Sequence, residues 1–491
     1  MDLTLSTQQG RSSPANKPTW WPTQIQAECP ARRHLAWRRT VSGCEAPGKH
    51  DSETGTSRLI VNNHIPEDVM YDAIFPRLPY KSVMRLKAVW KNVREKITDP
   101  IFSAKQSSMC PLCPAIVHIG RSTKKSYEYT MELLSSTPAN VGIPSSRLDF
   151  LGYRTEDVQF FLLGSSNGLL CICCKPYHKG PLTPTTFHIV NPATKKSQLI
   201  PGGTEHLYWR RAVGIVFDPL DQATTSLQKF QIVHAFPIFI GTHDTFLEFC
   251  FLIFSSDTGR WVMSDTRLDA NIEKSFCKKV VYTCGYLYWE YEDDLLWFDV
   301  TTHKAGTIKM PKKIQVSMPE EWERHSIDAS NNGTLMCTMI NKDGLAMFEM
   351  VKLGEPIRWE LKHRKGWKDI VDMNSNAFQF CHQMKLRNAW KPKFHEKWFV
   401  RPLGLESGRW VYLGVKLIHK TPEKVLRYDV ETGMAEDTGK VLDNAYNMEP
   451  TFGYRNSMAD IPPINAAASK DGICDGESGC ICAPDSSEDE A

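Results

Sequence analysis

The residues best placed to do chemistry in this 491-residue chain are its 15 Cys and 15 His. Cys110-Pro-Leu-Cys113 is half of a zinc site. Structural zinc takes four ligands, so a second pair should follow at finger-like spacing. The next cluster, Cys171, Cys173 and Cys174, comes almost 60 residues later, inside an apolar run that reads as a strand. Alternation along a strand puts Cys171 and Cys173 on one side, and buried thiols are expected there. Cys474, Cys480 and Cys482 lie in acidic sequence and read as free thiols. The histidines are dispersed, with no H-x-x-x-H or H-E-x-x-H pair. Asp293 and Asp294 are adjacent acids between two strands, the place of turn residues rather than of an acid–base pair. No stretch is read as a nucleophile elbow, a P-loop or a dinucleotide-binding glycine run. No catalytic residue, metal or cofactor is therefore expected.

The elements that would position such residues are mostly strands. Apolar residues make up 41% of the chain and aromatics 10%, with 14 Trp, a composition suited to a β-rich core. Lys and Arg number 59 against 56 acids, a net charge of +3, which makes no case for nucleic acid or a membrane surface as partner. The densest apolar run, Phe246 to Phe254, contains Glu248 and is too short to cross a bilayer as a helix. The N-terminus lacks the basic-then-apolar start of a secretory leader, and the odd cysteine count fits reduced thiols. A nuclear or cytoplasmic location is expected.

Residues 1–58, rich in Ser, Gln, Pro and Arg, are expected to be a disordered arm. Arg32, Arg33, Arg38 and Arg39 form a split basic cluster within it. Residues 60–105 read as a small helical domain. Pro66 with Glu67 and Asp68 starts a helix, and Pro76 and Pro79 stop it. A second helix is expected from Lys81 to Ile97. There Val83, Leu86, Val89, Trp90, Val93 and Ile97 recur at steps of three and four, and Asp99-Pro100 ends the helix. Lys81, Arg85, Lys87, Lys91, Arg94 and Lys96 lie largely off that stripe, either as a solvated face or as a surface that suits an acidic partner. About 40 residues are marginal as an independent fold, so the unit should lean on a partner or on the following domain, and its exposed apolar seam near position 80 calls for a separate covering subunit.

Residues 106–150 read as a connecting region able to add a strand or two. From 151 to 455, short β-branched and aromatic runs alternate with Gly, Asn, Asp and Pro, the pattern of strands and hairpins. A turn of the form Asx-x-x-Thr, with Ser in the first place once, recurs at Asn191, Ser255, Asp299 and Asp429. A period near 45 residues, with some copies degenerate, fits the blades of a β-propeller. Residues 456–491 are expected to be an acidic, disordered tail. Ser486 and Ser487 there precede Glu-Asp-Glu, a pattern that acidophilic kinases use. The fold class is thus α+β: a small helical domain followed by a large all-β, propeller-like domain.

Two stretches carry a family resemblance. Ile65-Pro-Glu-Asp68, Arg77-Leu-Pro-Tyr-Lys-Ser82, Arg85-Leu-Lys87, Val89, Lys91, Arg94, Ile97 and Asp99-Pro100 resemble an F-box over about 38 residues. Gly164-Ser-Ser-Asn-Gly-Leu-Leu-Cys171, Val190-Asn-Pro-Ala-Thr-Lys195, Phe217-Asp-Pro219, Phe254 to Trp261, Gly285-Tyr-Leu-Tyr-Trp289 and Phe298-Asp-Val-Thr301 are similar to the F-box-associated, kelch-like region of plant F-box proteins. The resemblance implies a substrate-receptor subunit of an SCF-type ubiquitin ligase, without catalysis of its own. Its F-box would dock on a Skp-family linker and through it on a cullin–RING ligase, and its β-domain would bind a protein substrate. Carried over position by position, the linker-facing residues would be Ile65, Pro66, Val69, Ile74, Leu78, Pro79, Ser82, Val83, Leu86, Val89, Trp90, Val93 and Ile97. The family usually has Trp immediately before Arg94, where this chain has Val93, with Trp90 about a turn earlier. The alternative is a propeller-type binding protein or hydrolase whose hairpin engages no ligase.

Overall fold

The computed structural model describes residues 65–109, 114–121, 129–135, 148–153, 157–176, 186–201, 212–219, 229–240, 246–270, 276–291, 294–311, 324–341, 343–351, 357–378, 398–417, 423–442 and 450–465. The expectations for the 1–58 arm, the Cys110 and Cys113 pair, Asp293, and the cysteines and serines of the tail lie outside these residues.

Among the described residues, the turn-bounded apolar runs fold as six antiparallel sheets, making a six-bladed β-propeller. Blade 1 pairs Val158–Ser166, Leu169–Pro176, Thr186–Asn191 and Lys196–Ile200 in that order. Blade 2 pairs Val213–Phe217, Phe230–Ile240, Phe246–Ser255 and Arg260–Met263. Blade 3 pairs Phe276–Thr283, Tyr286–Tyr291, Asp294–Asp299 and Ala305–Lys309. Blade 4 pairs Arg324–Ala329, Leu335–Ile340, Gly344–Val351 and Arg358–Gly366. Blade 5 pairs Trp398–Glu406, Trp410–Leu417, Glu423–Asp429 and Ala435–Leu442.

Blade 6 joins the two ends of the domain. Pro114–Arg121 pairs with Tyr129–Leu134 on one side and with Phe452–Arg455 on the other. The ring therefore begins before residue 151, inside the expected connecting region. Its chain runs past 455, because residues 456–459 are buried. Ring closure is the physical reason: a last strand left unpaired would expose a sheet edge.

Burial follows position within a blade. Leu335–Ile340, a second strand, and Val213–Phe217, a first strand, are buried at every residue. Both faces of these sheets are covered by neighbouring blades, so their strands are continuously apolar rather than alternating. The outer strand Arg260–Met263 has no fully buried residue. The recurring turns all join the third strand to the fourth. Asn191 Oδ1 accepts from the N–H of Ala193 at 3.0 Å, and Asp299 Oδ1 from Thr301 at 2.9 Å. Asp429 Oδ1 likewise accepts from Glu431 at 3.0 Å. The fifth residue of each turn is left-handed, with φ of 57° at Lys195, 64° at Gly259, 56° at His303 and 73° at Gly433.

The helical region precedes the ring. An irregular helical stretch over 67–77 begins with α1 (Glu67–Val69), and α2 (Tyr80–Val89), α3 (Lys91–Thr98) and α4 (Pro100–Met109) follow. The single helix expected from Lys81 to Ile97 is two. Trp90 is extended, with φ −121° and ψ 123°, and separates α2 from α3. Asp99 ends α3 as expected. Its carboxylate also accepts from the Ile101 N–H at 2.8 Å, so Asp99-Pro100 starts α4.

Candidate functional site: the outer face of the helical domain

The apolar stripe expected to await a partner divides in two. Val83, Val93 and Ile97 point inward and form a cluster with Phe75, Tyr80 and Phe102. The propeller completes that cluster with Ala193, from the first recurring turn, and Met458, from beyond the last strand. The Tyr80 hydroxyl donates to the Ala193 carbonyl at 2.7 Å, and the hydroxyls of Ser107 and Ser457 meet at 2.6 Å. Half of the seam is thus sealed by the chain's own β-structure. Val83, Val93 and Ile97 drop out as residues a partner could touch, since Val83 and Ile97 are 0% exposed and Val93 4%.

The other half faces outward. Ile65, Pro66, Val69, Ile74, Val89 and Trp90 are exposed, whereas Leu78, Pro79, Ser82 and Leu86 are half-buried. Seven of the fifteen exposed large apolar side chains among the described residues lie between 65 and 101. Val89 at 72% and Ile101 at 76% are the barest. Met84 and Ile101 belong to this set but were not among the residues that spacing singles out. Helical periodicity marks Met84 as off-stripe, and Ile101 falls after the expected helix end. The break at Trp90 turns that ring outward, so Trp90 does not stand on one stripe with Val93. Two ion pairs brace the stretch 67–77 against the following helices: Lys96 to Glu67 at 2.7 Å and Lys105 to Asp72 at 2.8 Å.

The second place to look for chemistry is a cavity of about 140 Å³, lined among others by Ser165, Asn167, Lys279, Asp328 and Arg455. It is smaller than the roughly 300–1,000 Å³ typical of ligand sites. Lys279 Nζ lies 2.5 Å from Asp328 Oδ1 and donates to Ser326 at 2.9 Å. Glu290, in the same cluster, accepts from the Ile327 N–H at 2.8 Å. Burial pushes the Glu290 carboxyl up to about 8 against the pull of Lys279, and pushes Asp328 up as well. These acids are buried and paired across blades 3 and 4, so the cluster fastens blades rather than presenting an acid to solvent. Among the described residues no group of three or more His, Cys, Asp or Glu gathers as metal ligands would.

Two other sequence features resolve as packing. Cys171 and Cys173 sit together in one apolar cluster and Cys174 in another, on opposite faces of the strand. Burial raises the Cys174 thiol to about 12. Gly164-Ser-Ser-Asn-Gly168 does carry the G-x-S-x-G spacing of a nucleophile elbow. Ser166, however, is buried and ties blade 1 to blade 2: its hydroxyl donates to the Phe217 carbonyl at 2.9 Å and accepts from the Phe217 N–H at 3.0 Å.

The comparisons with known proteins agree with this architecture. Residues 139–382 match the family described as F-box protein At3g26010-like, beta-propeller. The F-box protein At5g07610 of Arabidopsis thaliana is 27% identical over 258 residues, covering 50% of this chain and 56% of that protein. The chain is similar to plant F-box proteins with a β-propeller domain. A second Arabidopsis relative, F-box protein At5g49610, is 26% identical over 269 residues, 51% of this chain and 66% of that protein. The chain spans between half and two thirds of the length of these relatives. Among solved structures, the Aleuria aurantia lectin is 7% identical over 67% of this chain and 92% of that one, with a TM-score of 0.31. A likeness this slight says nothing of function.

Proposed function

We propose that this F-box protein is the substrate-recognition subunit of an SCF-type ubiquitin ligase, acting as a non-catalytic adaptor in the nucleus or cytoplasm. The observation that carries the reading is the concentration of exposed apolar side chains on the helical domain, whose opposite side is already docked on the propeller. Such a patch belongs under a partner. The basic side chains of α2 and α3, Lys81, Arg85, Lys91 and Arg94, are exposed as well and suit an acidic linker, speeding encounter while the apolar residues hold it. The adaptor holds a bound substrate near the ubiquitin-loaded enzyme and raises its effective concentration there. The substrate would be a protein bound by the β-domain.

The test is a titration of the full chain with a purified Skp-family linker. Micromolar or tighter binding is expected, and Val69→Asp and Val89→Asp, both at exposed positions, should each weaken it at least tenfold without changing the melting temperature. No binding at micromolar concentration sinks the reading. The hydrolase alternative loses ground to the paired, buried state of Lys279, Glu290 and Asp328.

A further inference from the structure

The helical domain is not complete without the far end of the chain. Residues 456–459 leave the last strand and run beneath the helices, all four buried. Met458 enters the apolar cluster with Val83, Val93 and Ile97, and Ser457 meets Ser107 of α4 at 2.6 Å. The segment is held from the other side by Asn191, whose side-chain amide donates to the carbonyls of Ser457 at 3.1 Å and Ala459 at 2.7 Å. Asp460 then pairs with Lys196 at 2.5 Å, and the Asn465 N–H donates to the Ser256 carbonyl at 2.9 Å. The fit at Gly168 is close: a Cβ there would stand 2.2 Å from Ser457 Cβ. Asn191 also makes the first recurring turn, which carries Ala193 into the same cluster. One asparagine therefore shapes the turn and anchors the strap.

We propose that residues 456–460 are a positioning part of the F-box: they hold α2 and α3 so that the outer apolar face is presented, and only a chain whose sixth blade has closed presents it. This rests on the proposed linker binding for its consequence, though not for its structural half. A unit of about 45 residues cannot bury a sufficient core by itself. Here two of the eight buried cluster members come from the propeller and its C-terminal extension. Without Met458 the inner ends of α2 and α3 lose a packing partner, and the fraction of molecules with the face in place falls. Apparent linker affinity scales with that fraction. Coupling the F-box to the last strand in this way keeps an incompletely folded receptor from recruiting a ligase.

The experiment compares wild type, Met458→Ala, Met458→Leu and Ser107→Ala as full-length chains, by hydrogen exchange and by linker titration. For Met458→Ala, faster exchange of amides 83–98 is expected, with blades 2–5 still protected and linker affinity down about tenfold. Met458→Leu, which keeps the volume, should restore both readouts. Unchanged exchange in α2 and α3 overturns the proposal, and so does faster exchange with unaltered affinity. Should Met458→Ala lose protection throughout the blades, Ser107→Ala decides, because it removes one hydrogen bond to the strap and leaves the core intact. Exchange in α2 and α3 must then rise selectively. If the wild type binds no linker, the proposed function fails, while the exchange comparison still decides whether the strap holds the helices.

Discussion

Single side chains divide the helical domain into a sealed half and an open half. Val93 occupies the position where the family usually has Trp, and here it is a core residue packed against Val83, Ile97 and Met458. Val93→Trp is therefore expected to overpack the cluster and cost about 1–3 kcal/mol of stability, not to improve linker binding. Thermal unfolding beside a titration separates the two outcomes. Trp90 is 52% exposed and, under the proposed linker docking, would supply the aromatic contact instead. Trp90→Asp should weaken linker binding by about 2 kcal/mol, roughly thirtyfold, with stability unchanged. Glu290 gives a pH dependence of its own. Its carboxyl is held at about 8 by burial, against an ordinary 4.5, so the folded protein keeps a proton that the unfolded chain releases between those values. That contribution to stability is whole below about pH 4.5 and is lost as pH rises through 8. Glu290→Gln stays neutral throughout, so its stability should change less between pH 5 and 9 than that of the wild type, as read from denaturant midpoints.

At the scale of elements, the recurring turn shows how a blade ends. An Asx or Ser side chain bonds to the backbone two residues on, and a left-handed residue then sends the chain back as the outer strand. At Gly433 the φ of 73° is open to glycine at no steric cost. Gly433→Ala should cost about 1 kcal/mol, whereas Lys195→Gly, at φ 57°, should cost nothing or stabilise slightly. Paired melting curves test both. In the Asp429 turn, a hydrogen bond from Arg409, at 2.6 Å, holds the carboxyl down at about 2. The stability it contributes is present above about pH 4 and is lost as pH falls through 2.

For the molecule as a whole, closure of the ring is the organising event. The helical domain, blade 6 and the strap meet where Ser107 and Pro114 come together with Arg455 and Ser457. Removing 452–465 should leave Pro114–Arg121 with a bare edge, strip Met458 from the F-box and lower the melting temperature well beyond any single substitution above. Hydrogen exchange is expected to rise first in blades 1 and 6 and in α2 and α3, with blades 3 and 4 last.

Local chemistry was enough to determine that this chain is a small helical domain followed by a large β-domain built of repeated hairpins. Proline, Asx turns and runs such as Leu169 to Cys174 act within a few residues of themselves. The F-box and F-box-associated motifs are legible for the same reason, as short runs in order. The facing of the helices was not legible, since the 3.6-residue period marks an apolar stripe without saying which part of it is covered. Only the fold decided that Val83, Val93 and Ile97 turn inward, that Trp90 breaks the helix, and that 114–134 pairs with 452–455. Those outcomes depend on contacts such as Ser107 to Ser457, 350 residues apart, which leave no periodic trace in the chain. Distant segments are chosen by the burial they achieve together, and that sum exists only once the ring has closed.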